Sequence, residues 1–170
     1  TRTQNICDEL KGLTELEESF NKTGLPIATY FSLSKILWLL RNVDEVKQAR
    51  EDNDLCFGTI DSWLLFKLTG EHVTDVTNAS RTLLMDLETL NWMEDILTVL
   101  DISENSLPKI KPSLYNFGTN SDLLKNVPLT SVLGDQQAAL FGQNCINSGD
   151  VKNTYGTGCF ALTNTGNEVV

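Results

Sequence analysis

The stretch Ser131-Val132-Leu133-Gly134-Asp135-Gln136-Gln137-Ala138-Ala139-Leu140-Phe141-Gly142-Gln143, followed by Asn153-Thr154-Tyr155-Gly156-Thr157-Gly158-Cys159-Phe160, decides how this chain is read. Residues 129–133 are short, apolar and rich in strand formers, so a strand is predicted there. Residues 136–143 read as a helix, which puts Asp135 at a strand end and at the helix N-terminus. Two roles suit a carboxylate in that position. As an N-cap it accepts the unpaired backbone N–H two or three residues on. As a general base it faces the crevice that strand ends open in α/β proteins. The second part reads as a hairpin, with strands Val151–Tyr155 and Cys159–Thr163 joined by Gly156-Thr157-Gly158. Glycine lets such a turn take positive φ and admits a ligand close to the backbone, and successive N–H groups can cradle an anion. Two glycines two apart also suit an ordinary hairpin. Together, a carboxylate at a strand end and a hydroxyl-bearing glycine turn describe half of a phosphoryl-transfer site: one group accepts a proton from an alcohol, the other holds phosphate oxygens.

Composition narrows the classes of partner. With 170 residues, 41% of them hydrophobic, the chain can bury a core of ordinary size. Its 23 acidic and 13 basic residues give a formal net charge of −10, a poor match for nucleic acid or an anionic membrane surface. Apolar runs such as 63–66 and 138–141 fall far short of the roughly 20 residues a membrane helix needs. Cys7, Cys56, Cys145 and Cys159 are scattered with no C-x-x-C pair, which fits a reducing, cytoplasmic setting. The opening Thr1-Arg2-Thr3-Gln4 shows neither initiator Met nor targeting pattern, as in a piece of a longer polypeptide.

Along the chain, residues 2–20 read as helix, with Ile6, Leu10, Leu13 and Leu16 on one face and Gly12 as an interruption. After the connector at Gly24 and Pro26, Ser32 or Ser34 is predicted to cap a helix with the stripe Leu33, Ile36, Leu37, Leu40. Trp38 reads as packing, and Tyr30 stands just outside that helix, where its phenol could reach a ligand. Residues 43–54 read as a solvated charged helix and turn, 55–57 as a short strand, and 58–68 as a helix turning Ile60, Trp63, Leu64 and Leu68 inward. Asp61 in its first turn favours the helix dipole. His72 is the only histidine and has no ligand-spaced companions, so no metal site is expected. Residues 78–82 suggest a helix start with Arg81 pinning carbonyls or a carboxylate. Residues 90–100 read as a helix, 104–108 as the end of a short one, and 112–128 as loop with short strands. A domain boundary is expected within 142–150.

The segment from Gly134 to Gln143, with Lys152 to Phe160 after it, resembles the central part of the glycerol kinases, members of the FGGY carbohydrate kinases. Further blocks agree in order: Thr23-Gly24-Leu25-Pro26 leading to Tyr30-Phe31-Ser32 and Trp38-Leu39, then Phe57-Gly58-Thr59-Ile60-Asp61-Ser62-Trp63-Leu64, then Thr74-Asp75-Val76-Thr77-Asn78-Ala79-Ser80-Arg81-Thr82. The resemblance implies an α/β, actin-like ATPase (ribonuclease H-like) fold. Residues 1–142 would be the later part of the N-terminal domain and 143–170 the start of the C-terminal one. It implies ATP-dependent phosphorylation of glycerol, with ATP and Mg2+ required. Asp135 would be the base; Tyr30, Asp135, Gln136 and Phe160 would bind the polyol, and Gly156, Thr157 and Gly158 the nucleotide phosphates. A first phosphate-binding hairpin, an Arg-Glu pair and a tryptophan that the family uses would lie upstream, and the adenosine half downstream, so the chain alone is expected to be inactive. The resemblance leaves room for a homo-oligomer of the full-length protein, for a sister sugar kinase, and for a catalytically silent interaction protein of the same fold.

Overall fold

The computed structural model describes residues 2–120 and 127–169. Two compact units are present, Thr1–Val132 and Leu133–Val170. The first begins with α1 (Gln4–Lys11), a 3-10 turn (Thr14–Leu16) and α2 (Glu17–Lys22), the break falling at Gly12 as predicted. Then come α3 (Ser32–Asn42), α4 (Asp44–Glu51), α5 (Ile60–Thr69), β1 (Val73–Asp75), α6 (Val76–Ala79) and α7 (Glu94–Val99). After the 3-10 turn Glu104–Ser106 follow β2 (Lys109–Lys111), β3 (Thr119–Asn120) and β4 (Val127–Pro128). β1 pairs with β2 in parallel, Val73 opposite Lys109 and Asp75 opposite Lys111, while β3 and β4 are antiparallel. The main core gathers Ile6 and Leu10 of α1, Leu33, Ile36 and Leu37 of α3, and Ile96 and Leu97 of α7. The stripe read from α3 is therefore the buried one; Trp38 packs at its margin with the Arg2 guanidinium 4.7 Å from its ring. α4 has no fully buried residue, as its charge pattern implies, and its Val46 leans on the core.

Several expectations are corrected. Neither Ser32 nor Ser34 caps α3: Phe31 holds the cap position, and one unpaired N–H of the first turn, that of Leu33, donates to the Thr82 carbonyl at 3.0 Å. The Ser34 hydroxyl bonds to Thr3 instead. Residues 55–57 form no strand: Phe57 N–H donates to the Ser106 carbonyl, and the Phe57 carbonyl is met by His72 rather than by a neighbouring strand. The helix expected over 90–100 begins only at Glu94, because the Asp86 carboxylate takes the N–H groups of Glu88 and Thr89 and bends the chain into a turn that leaves Leu90 at φ 57°. Residues 129–132 are extended and bonded through Leu129, Thr130 and Val132 to 113–118, but they form a single bridge, Leu114 to Ser131, and no continuous strand. In the 112–128 region the short strands are present as β3 and β4; residues 121–126 lie outside the described residues.

The largest correction concerns α5. It buries Ser62 and Leu65, and leaves Ile60 77%, Trp63 58% and Leu64 53% exposed. Apolar side chains stand at six of its ten positions and fall on every side of the helix, so periodicity selects no face. Packing decides: Leu65 joins Val73 of β1 and Phe117 in a second cluster. Asp61 does more than favour the dipole, since Thr74 Oγ1 of β1 donates to its Oδ2 at 2.6 Å and Thr59 Oγ1 to its other oxygen. Gly70, at φ 79°, ends the helix with its N–H on the Phe66 carbonyl.

The second unit is α8 (Asp135–Gly142) packed on the hairpin of β5 (Val151–Tyr155) and β6 (Cys159–Thr163). The helix closes with Asn144 at φ 61°, its N–H on the Phe141 carbonyl and that of Cys145 on the Leu140 carbonyl, a Schellman ending. Among the described residues no helix is long and apolar enough to cross a membrane.

Candidate active site

The hairpin has two unlike faces. Val151 pairs with Thr163, Lys152 with Leu162, Thr154 with Phe160 and Tyr155 with Cys159. Alternation then puts Lys152, Thr154, Phe160 and Leu162 on one side, all buried or half-buried, and exposes Val151, Asn153, Tyr155, Cys159 and Ala161 on the other. α8 packs on the sheltered side. The turn Gly156-Thr157-Gly158 is closed by the Gly156 N–H on the Gly158 carbonyl at 3.0 Å. Its glycines do not adopt the positive φ predicted for them. Gly158 is required for another reason: a Cβ there would stand 2.8 Å from Phe160 Cε2 and 3.1 Å from Cζ, so the bare backbone makes room for the ring. Thr157 is exposed at the tip.

α8 starts one residue earlier than expected. Gly134 is the N-cap and Asp135 the first helical residue, and no side-chain cap bond is made at this end. The N-cap role for Asp135 is thereby corrected: the cap position needs extended backbone, Gly134 supplies it at ψ 147°, and the carboxylate is left exposed and uncommitted to the helix. It accepts one hydrogen bond, from Gln136 Nε2 at 3.1 Å. Gln136 Oε1 accepts from Lys152 Nζ, which also donates to Thr154 Oγ1 at 2.7 Å. Asp135 and Gln136 thus stand together beside the hairpin face that carries Phe160. Lys152 was missed as part of this group; its pairing with Leu162 puts it on the Phe160 side, turned inward.

Tyr30 belongs to the first unit, at the entrance to α3. Its ring is 63% exposed and meets Phe31 edge-on, with centroids 5.3 Å apart. The Lys35 ammonium takes the Tyr30 carbonyl at 2.7 Å, which fixes the backbone beneath the phenol. Among the described residues Arg81 pins neither carbonyls nor a carboxylate; its guanidinium lies over Phe31 at 5.0 Å and Tyr30 at 5.9 Å from the ring centroids. The helix start predicted near residue 78 is α6, capped by Asp75, whose carboxylate accepts from the N–H groups of Thr77 and Asn78. His72 is structural, donating from Nε2 to the Phe57 carbonyl at 2.6 Å. Among the described residues no cluster of His, Cys, Asp and Glu could hold a metal ion.

An exposed carboxylate at a helix start, an amide oriented beside it, an aromatic ring on the neighbouring hairpin and a glycine turn at its tip suit a site that handles a small polyol and a phosphate. Comparison with known proteins points the same way. A glycerol kinase of Renibacterium salmoninarum is 51% identical over 177 residues, and one of Leifsonia xyli subsp. xyli 52% identical; each match covers 100% of this chain and 35% of the relative. The chain therefore spans about a third of the length of these relatives. The crystal structure of Plasmodium falciparum glycerol kinase with ADP superposes with a TM-score of 0.91 at 44% identity, over 100% of this chain and 35% of that one. A ligand-bound xylulose kinase from Lactobacillus acidophilus gives 0.81 at 25% identity, over 93% of this chain and 33% of that one. The α/β fold is thus that of the actin-like carbohydrate kinases. Residues 1–142 match the N-terminal domain of the FGGY family of carbohydrate kinases, and the chain belongs to that family.

Proposed function

We propose that the polypeptide carrying this chain transfers the γ-phosphoryl group of ATP to a primary hydroxyl of glycerol, giving glycerol 3-phosphate. The observation that carries the reading is the Asp135 carboxylate, exposed at the start of α8, free of a capping duty and hydrogen-bonded, among the described residues, by Gln136. Phosphoryl transfer asks the protein for positioning and charge stabilisation more than for covalent chemistry. Asp135 accepts the hydroxyl proton, and it does so late, because an alcohol is a far weaker acid than a carboxylic acid until the new P–O bond forms. Gln136 offers a donor and an acceptor, which suits a neutral polyol. Phe160 lies against the carbon side of the substrate, Tyr30 donates its phenol to a hydroxyl, and Thr157 with Gly156 and Gly158 meets the phosphates. The ADP in the Plasmodium relative supports an adenine nucleotide as the second substrate. Magnesium bound with the nucleotide would supply charge neutralisation at the phosphates; it prefers hard carboxylate and phosphate oxygens, and Asp135 is the residue of this chain that would offer it a carboxylate.

In this reading 1–142 is the later part of the N-terminal domain and 143–170 the start of the C-terminal one, the enzyme is cytoplasmic, and its full-length form has the option of self-association. A coupled assay on the polypeptide at the length of its relatives, with ATP and a panel of glycerol, xylulose and gluconate, tests it. Turnover highest with glycerol is expected, and none from the 170-residue chain alone. Preference for a sugar would move the assignment to a sister kinase, and no turnover at all would leave a silent relative of the same fold.

A further inference from the structure

Lys152 retains 5% of its surface exposure, on the hairpin face beneath α8. Burying an ammonium is costly unless its protons are donated, and a leucine or methionine would fill the same strand position without that cost. Two of its three protons go to Gln136 Oε1 and Thr154 Oγ1. An ammonium has three donors and no acceptor, so only the oxygen end of the Gln136 amide can face it. That choice dictates the other end: Nε2–H points at Asp135 Oδ2, 3.1 Å away. If the amide turned over, its NH2 would meet the ammonium and its oxygen would meet the carboxylate, so two attractions would become two repulsions.

We propose that Lys152 is a positioning residue: by holding the Gln136 oxygen it aims the Gln136 N–H at Asp135 and keeps the carboxylate directed at the acceptor hydroxyl. The inference rests on the kinase reading and adds a residue that acts through another. Lys152 itself touches neither substrate. Its effect belongs to the alcohol side of the reaction, because the residues it orders are those proposed to receive the polyol.

The test is a double-mutant cycle in the polypeptide at the length of its relatives. Lys152→Met keeps the stem and removes the donors; kcat/KM for glycerol should fall about ten- to a hundredfold, the range that misplacement by an ångström produces, with KM for ATP nearly unchanged. Lys152→Arg, which keeps charge and donors, should recover most of the loss. In a Gln136→Ala background, Lys152→Met should add almost nothing, since its route to the site is already cut. Fully multiplicative effects, or a Lys152→Met enzyme with normal kcat/KM, would refute the positioning role. If Lys152→Met fails to fold, the side-chain amide of 15N-labelled Gln136 in the wild type decides: its two proton signals should be widely split, and signals like those of a solvated glutamine would refute the role. A wild type unable to phosphorylate glycerol would refute the kinase reading instead, so the two failures are separable.

Discussion

Asp135→Asn keeps the shape of the side chain and takes away its basicity, which makes it the sharpest change at the scale of one residue. We expect kcat with glycerol to fall by at least about 10²-fold, the lower end for loss of a general base, with a smaller change in KM. Steady-state kinetics with circular dichroism as a folding control checks this, and unchanged kcat would remove Asp135 from the chemistry. The sequence showed that a carboxylate stands at the beginning of this helix. It did not show that Gly134 would take the cap, because both residues tolerate that backbone and a single position separates the two roles. Lys152 was illegible for a different reason: among exposed charged residues an inward lysine has the same letter as an outward one, and only the pairing with Leu162 reveals its side.

At the scale of the element, the block around residues 74–82 acquires a physical account. Asp75 is fully buried, 0% exposed, at the end of β1. It accepts from Thr77 N and Asn78 N at 3.0 Å each, Thr77 Oγ1 at 2.6 Å, Asn78 Nδ2 at 2.7 Å and, from beyond β2, Ser113 Oγ at 2.6 Å. One side chain thereby starts α6 and ties it to the segment after the neighbouring strand. Asp75→Ala strands several half-buried donors together, so a loss of about 3 kcal/mol is expected, read as a lowered urea midpoint. Asp75→Asn should cost less, since the amide oxygen still accepts some of these bonds. None of this follows from spacing alone, because Ser113 lies far along the chain. α5 taught the opposite lesson. Its helical character was plain in the sequence, but a segment apolar on every side carries no record of which side will be covered.

At the scale of the molecule, order along the chain was the most legible feature: the helical first unit, the hairpin and the helix before it follow the predicted sequence, with Val151–Tyr155 and Cys159–Thr163 matching their expected limits. Boundaries failed where a side chain competed with the backbone, as Asp86 does ahead of α7. The bare flank of α5 has an optical consequence. Trp38 and Trp92 are half-sheltered whereas Trp63 stands 58% in solvent beneath the Lys67 ammonium, so acrylamide should quench mainly one of the three indoles and Trp63→Phe should abolish most of that quenching. Repeating the titration on longer versions of the polypeptide turns the same indole into a gauge: whatever fraction of emission becomes inaccessible measures how much of this flank the added residues shield from water.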